Sequence, residues 1–303
     1  ELEAMGITPE SLLLQSWNAS FVAPFVADEK ALLQPILQEY QLSVTHLQNF
    51  LNVADAGPRI FLERNLLKFP QPKSPDGVFG SAFHGTIQRV YQELKRTGAL
   101  PEINQVNKWF GYFLKDGRLN KIETEMLEKR GIKALEVYYP AKRDYFSAED
   151  KIEFNFKKQG AFVGSAHLTG KIDRLSEEGS EIIVHDFKTG KAIISWEPSD
   201  AYEKIKAWKY CRQLTFYKLL VEYSRDFGGT KQVKRGMIEF VEPVQGNFID
   251  LTLDIDPAQV ERLTKLIEIV YGKIMNLDFP DISKYSKDIS GILKFEDDLI
   301  NGL

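Results

Sequence analysis

The 303-residue chain has a single cysteine, Cys211, and only four histidines. One thiol excludes an internal disulfide framework and any multi-cysteine metal cluster, and it makes a reducing, cytoplasmic setting the expectation. No apolar run approaches the roughly 20 residues of a membrane-crossing helix, so no membrane partner is expected. The first residues show no signal-peptide pattern either. Net charge is small, at −4, which argues against a basic coat that grips nucleic acid indiscriminately but leaves room for a local basic groove. Internal repeats and low-complexity segments are also missing. What is present is an ordinary globular composition, 43% hydrophobic and 27% charged, long enough for one large domain or a domain with an extension. Because the chain opens on Glu1 rather than methionine, a piece of a longer polypeptide is expected.

Residues 1–40 read as a helical extension or linker built from short pieces ("SLLLQSWNASFVAPFV", "EKALLQPILQEY"), and 41–303 as one domain with a wrapping tail. Ser43 or Thr45 is placed to cap a helix through "HLQNFLNV", which Gly57-Pro58 ends. After the Pro-rich "FPQPKSPDGVFG", a helix is expected from about Ser81 to Thr97, with Gly98 as its stop. Two more helices are expected near 102–115 and 119–130, ending at Gly117 and Gly131. The centre then turns β-rich, with "ALEVYYPA", "KIEFNFKK", "AFVGSAHLTGKIDRL" and "EIIVHDFKT" all heavy in Val, Ile, Phe and Tyr. A helix near 200–224, strands at "RGMIEFVEP" and "FIDLTLDI", and a long final helix from Asp256-Pro257 to about Met275 complete the pattern. The order of elements therefore indicates α/β or α+β, with a mixed central sheet flanked by helices.

The most informative stretch is "GKIDRLSEEGSEIIVHDFKTGK", Gly170 to Lys191, which reads as a hairpin turning at "SEEGS". Side chains alternate along a strand, so Asp186 and Lys188 point the same way, about 6.6 Å apart. Asp173, on the preceding strand, can reach the same region. Two carboxylates converging at a strand end can hold a hard cation such as Mg2+. A lysine beside it can orient or deprotonate a water, or neutralise charge developing on a phosphate. That is the equipment of metal-assisted phosphodiester hydrolysis. A lone D-x-K is common on solvated strands; the weight comes from its company. "GKIDR" precedes it, "KTGK" follows, and "QLTFY" lies on a downstream helix where Gln213 and Tyr217, four apart, share a face.

The set "GKIDR", "HDFKTG" and "QLTFY" resembles the PD-(D/E)XK nuclease superfamily, specifically the RecB-like nuclease domains joined to DNA helicases. "FGSAFH" at 79–84 is similar to that family's glycine-to-histidine motif, and "LSVTHLQNFLNVADAGPRIFLERNLLKFP" to its lead-in segment. The likeness runs from about residue 42 to about 275. It implies that His84, Asp173 and Asp186 are metal ligands for Mg2+, with Mn2+ as a substitute, and that Lys188 is the catalytic lysine. Gln213 and Tyr217 would position the lysine or the DNA. It further implies a deoxyribonuclease, exonuclease rather than endonuclease, forming the C-terminal part of a helicase–nuclease in DNA repair or recombination. A helicase region of the same polypeptide or a helicase subunit would be its partner. The chain departs from many relatives in lacking the four cysteines of an iron–sulfur cluster, so no cluster is expected. The tail would dock by packing instead, through "GILKF".

Other candidates have plainer readings. His167 shares strand parity with Asp173 but sits six residues away and reads as peripheral. His185 faces away from Asp186 and reads as hydrogen-bonded in the packing, and His46 as a surface or capping residue. Glu136 in "ALEVYY" is either a supporting carboxylate behind the ligands or an edge-strand charge. Cys211 reads as a small buried residue rather than a nucleophile. Between Gln88 and Ala134 there are ten Lys or Arg against six Asp or Glu, with Trp109, Phe110, Tyr112 and Phe113 among them. That mixture suits a single strand of nucleic acid, but an amphipathic helix with an aromatic core face accounts for it better. The rival to a nuclease is a DNA-binding module without catalysis that steers a helicase; the intact Asp, Asp, Lys set argues against it.

Overall fold

The structure is a computed structural model that describes residues 29–303. The expected helical pieces in "SLLLQSWNASFVAPFV" lie outside the described residues. The chain divides into two compact units, Glu1–Tyr40 and Gln41–Leu303. The described part of the first is helix α1 (Glu29–Gln38).

In the second unit, Ser43 caps α2 (Val44–Leu51) by accepting the His46 N–H at 3.2 Å. The His46 ring is not at the surface: it is half-buried, edge-on to Phe61, and burial followed by the Lys68 charge lowers its pKa to about 4. A short helix α3 (Gly57–Phe61) runs into one π-helical turn, Leu62–Leu66. Helix α4 (Pro75–Thr97) starts at Pro75, earlier than Ser81. Ser74 accepts the Gly77 N–H and Pro75 fills the first turn, where its missing N–H costs nothing. The Pro-rich stretch is therefore a helix start and not only a loop.

Helices α5 (Ile103–Asp116) and α6 (Lys121–Ala141) follow. The second overturns two expectations, since Gly131 does not end it and "ALEVYYPA" is helix, not strand. A Cβ on Gly131 would lie 2.1 Å from the Phe110 ring, so the glycine lets α5 and α6 cross closely. The buried positions Leu127, Gly131, Leu135, Tyr138 and Tyr139 recur at helical spacing. Glu136 is accordingly on the exposed face of α6, neither an edge-strand charge nor a support for the site.

The central sheet has the order β1 (Lys151–Asn155), β4 (Lys171–Glu178), β5 (Glu181–Lys188), β6 (Gln232–Phe240), β7 (Asp250–Asp254). Only β5 and β6 are parallel. Parallel neighbours need a crossover, and α7 (Ala201–Glu222) provides it. Strands β2 (Ala161–Val163) and β3 (Ala166–Leu168) form a separate hairpin turning at Gly164, φ 53°. "AFVGSAHLTGKIDRL" is thus three strands in two sheets. Phe187 and Val241 pack beneath α4, α5 and α6, while α7 covers the other face, with the Tyr210 ring 6.1 Å from Phe240. The fold is α/β with a five-stranded mixed sheet between helices.

After α8 (Pro257–Met275) the tail is not merely a surface wrap, for it contains α9 (Ile289–Ile300). Within "GILKF", Ile292 and Phe295 are buried, and Phe295 stacks 6.4 Å from Phe50 of α2. No described helix is long and apolar enough to cross a membrane.

Candidate active site

The site forms where two strands come apart. The β4–β5 ladder pairs Glu178 with Glu181 and ends at Arg174 opposite His185. The next rung would set Asp173 against Asp186, and there the backbones no longer pair. The Asp173 carboxylate takes over instead, with Oδ2 accepting the Phe187 N–H at 2.7 Å. A buried N–H is satisfied, and Asp173 Oδ1 is left facing into the fork.

Helix α7 lies low over this fork. A Cβ on Gly236 of β6 would come 2.9 Å from Leu214, so the bare strand position admits the helix. The descent brings Gln213 onto the strand end. Its Oε1 accepts from Lys188 Nζ at 2.9 Å, and its Nε2 donates to Asp186 Oδ1 at 2.6 Å and lies 2.6 Å from the Tyr217 hydroxyl. The ammonium fixes which end of the amide is oxygen, because it can only donate. Tyr217 donates to Asp186 Oδ1 at 3.1 Å, and burial, with the charges of Asp186 and Asp173, keeps that phenol protonated. Lys188 Nζ lies 2.6 Å from Asp186 Oδ2 and 5.0 Å over the Tyr210 ring.

The other half of the site comes from α4 and β1. His84 Nδ1 lies 3.2 Å from Glu153 Oε1 and 3.3 Å from Asp173 Oδ1. Burial opposes an imidazolium here. Hydrogen bonds to Asp173 and Glu153, with the charges of Asp173 and Asp186, outweigh it and raise His84 to about 10. Asp186 moves upward too, from burial first; the Lys188 charge pulls it back and Asp173 pushes it further.

All six residues singled out in the sequence therefore lie at one fork, but in two groups. His84 and Asp173 share one, and Asp186, Lys188, Gln213 and Tyr217 form the other. Glu153 joins the first group and was missed. It lies opposite Asp173 in the β1–β4 register, between the pairs Ile152–Arg174 and Phe154–Ile172, with φ at 53°. Its other oxygen pairs with Lys171. His167 is on β3, its ring stacked 4.4 Å from Phe162, and His185 is on the far face of β5. Cys211 is half-buried, its thiol 3.6 Å from Gln259.

Ligand atoms of His84, Glu153 and Asp173 lie within 4.8 Å of one another. Asp186 Oδ2, buried and ion-paired with Lys188, receives no aligned hydrogen bond. Oxygen-rich donors with one imidazole suit a divalent cation such as Mg2+ or Mn2+. A cation there would displace the His84 proton, since only neutral imidazole ligates. The residues fit the metal.

A sheet forked over carboxylates and a lysine is an arrangement able to support metal-assisted hydrolysis. The chain belongs to the PD-(D/E)XK nuclease superfamily, whose family model matches residues 41–284. No curated protein matches the chain.

If Gln213 tethers Lys188 and Asp186, Gln213→Ala should lower turnover by tenfold or more while the melting temperature changes little, because Tyr217 still serves Asp186. A large loss of stability with normal specific activity would make Gln213 scaffolding. Paired melts and single-turnover assays decide between them.

Proposed function

We propose that the chain is a divalent-metal-dependent deoxyribonuclease of the RecB-like type, the nuclease part of a helicase–nuclease acting in DNA repair or recombination. The observation that carries the chemistry is the Asp186–Lys188–Gln213 linkage facing His84, Glu153 and Asp173 across the strand fork. The RecB-like assignment and the helicase partner rest on the order and wording of "FGSAFH", "GKIDR", "HDFKTG" and "QLTFY".

His84, Glu153, Asp173 and Asp186 would hold Mg2+ or Mn2+. When bound, such an ion supplies a water of lowered pKa and charge compensation at phosphorus. Lys188, anchored by Asp186 and Gln213, orients the attacking water or steadies the extra negative charge of the transition state. Tyr217 and Gln213 hold Asp186 Oδ1, which leaves Oδ2, ion-paired with Lys188, as the atom a cation would share. His84 and Lys188, about a quarter exposed, are the open members of the site, so a phosphate approaches from their side.

The test is incubation of the purified chain with single- and double-stranded DNA in Mg2+, Mn2+ or EDTA. Cleavage in either metal and none in EDTA is expected, with loss from DNA ends before internal cuts. Retained DNA binding without cleavage of any substrate, at high protein concentration, would favour the non-catalytic module.

A further inference from the structure

We infer that Arg174, His185 and Glu239 form a positioning unit that sets the fork in which Asp173 and Asp186 meet their metal. The inference rests on the metal-nuclease reading and extends it to residues on the opposite face of the sheet. Arg174 and His185 are the last paired rung before β4 and β5 part. On the back of that rung, Arg174 Nη2 lies 2.7 Å from His185 Nδ1 and 2.8 Å from Glu239 Oε1, with His185 Nδ1 2.7 Å from the same oxygen. The three residues come from β4, β5 and β6 and are at most 5% exposed. Ser176 Oγ lies 2.8 Å from His185 Nε2 and fixes the ring from the other side.

This is a costly arrangement for the back of a sheet. The same face carries Phe187 into the hydrophobic core, and apolar side chains in place of a buried ionic group are often neutral or more stabilising. A charged group across three strands does what apolar ones cannot, since its bonds form in one register only. Each member also adjoins the chemistry, along the chain or across a strand pair: Arg174 follows Asp173, His185 precedes Asp186, and Glu239 pairs with Phe187, whose N–H holds Asp173 Oδ2. Burial works against a charged Glu239. The His185 hydrogen bond and the charges of Arg174 and Lys142 prevail and hold it at about 2. The Arg174–Glu239 pair thus keeps both charges at neutral pH.

Glu239→Gln keeps the shape and removes the charge. Titration of metal into the full chain should show Mg2+ affinity about tenfold weaker, the range typical of residues supporting metal ligands. Cleavage should fall alike at fixed metal and recover partly at high Mn2+, while DNA affinity in EDTA stays within twofold. Leu266→Ala, a fully buried position of α8, controls for lost stability; it should lower the melting temperature yet leave metal affinity unchanged. Should Glu239→Gln not fold, Ser176→Ala probes the same clamp and is expected to weaken metal about threefold. An active parent alongside a folded variant with parental metal affinity and turnover overturns the inference alone. A parent that binds no cation overturns the proposed function and this inference together.

Discussion

Asp186→Asn should lower metal-supported DNA cleavage at least about a thousandfold, as expected when several kcal/mol of transition-state stabilisation are lost. The variant keeps the size of the side chain, and its amide oxygen can still accept from Gln213 and Tyr217. It loses the charge at Oδ2, the oxygen that faces Lys188 without an aligned hydrogen bond. Metal affinity should fall with turnover. DNA binding in EDTA should hold or tighten, since a negative charge near the phosphates has gone. Stability should hold or rise, and the sign has a cause. The Asp186 carboxyl is raised by burial, so ionising it costs the folded chain more than the unfolded one. Its contribution is therefore fully present at low pH and lost as pH rises through its folded value, whereas Asn has no such loss. The stability difference between variant and parent should grow with pH across and above the ordinary carboxylate range. Calorimetric metal titration, a nuclease assay and melts at several pH values read all four quantities. Cleavage at the parental rate would show that Asp186 is no metal ligand.

The hairpin from Gly170 to Lys191 was legible because its signal is local. Period-two alternation puts Asp186 and Lys188 on one face, and helical spacing puts Gln213 beside Tyr217. What misled was punctuation. Gly131 carries no local mark distinguishing a helix stop from a close contact, and only the Phe110 ring across the α5–α6 crossing decides. The Val and Tyr residues after it suit a strand equally well, so "ALEVYYPA" went with the wrong neighbour. Pro75 failed in the opposite sense, since a proline that ends one helix is also a good first residue of another. Glu153 was invisible for a different reason. In "KIEFNF" it sits at an outward position by alternation, like Lys151 and Asn155. Only the register with β4, which places it opposite Asp173, and a left-handed backbone turn it toward His84.

That backbone makes Glu153 the site of the second large effect. Glu153→Ala and Glu153→Gly should both weaken metal binding at least about tenfold, with a matching loss of cleavage, because each deletes one of the oxygen donors around His84. The two should differ in stability. A φ of 53° is strained for any residue with a Cβ and costs about 1 kcal/mol or more, whereas glycine adopts it freely. Alanine keeps the strain without the carboxylate; glycine removes both. The glycine variant should therefore be the more stable by about 1 kcal/mol, the reverse of the usual order in a strand, where glycine is the worse choice. Both lose the buried pairing with His84 and Lys171, so that loss cancels in the comparison. Denaturant midpoints measure the difference and metal titration the affinity. Alanine at or above glycine in stability would mean the strand is relaxed at 153, and parental metal affinity in both would remove Glu153 from the ligand set. If both outcomes are as expected, the strained residue is held in place for the metal, since the fold alone is better served by glycine.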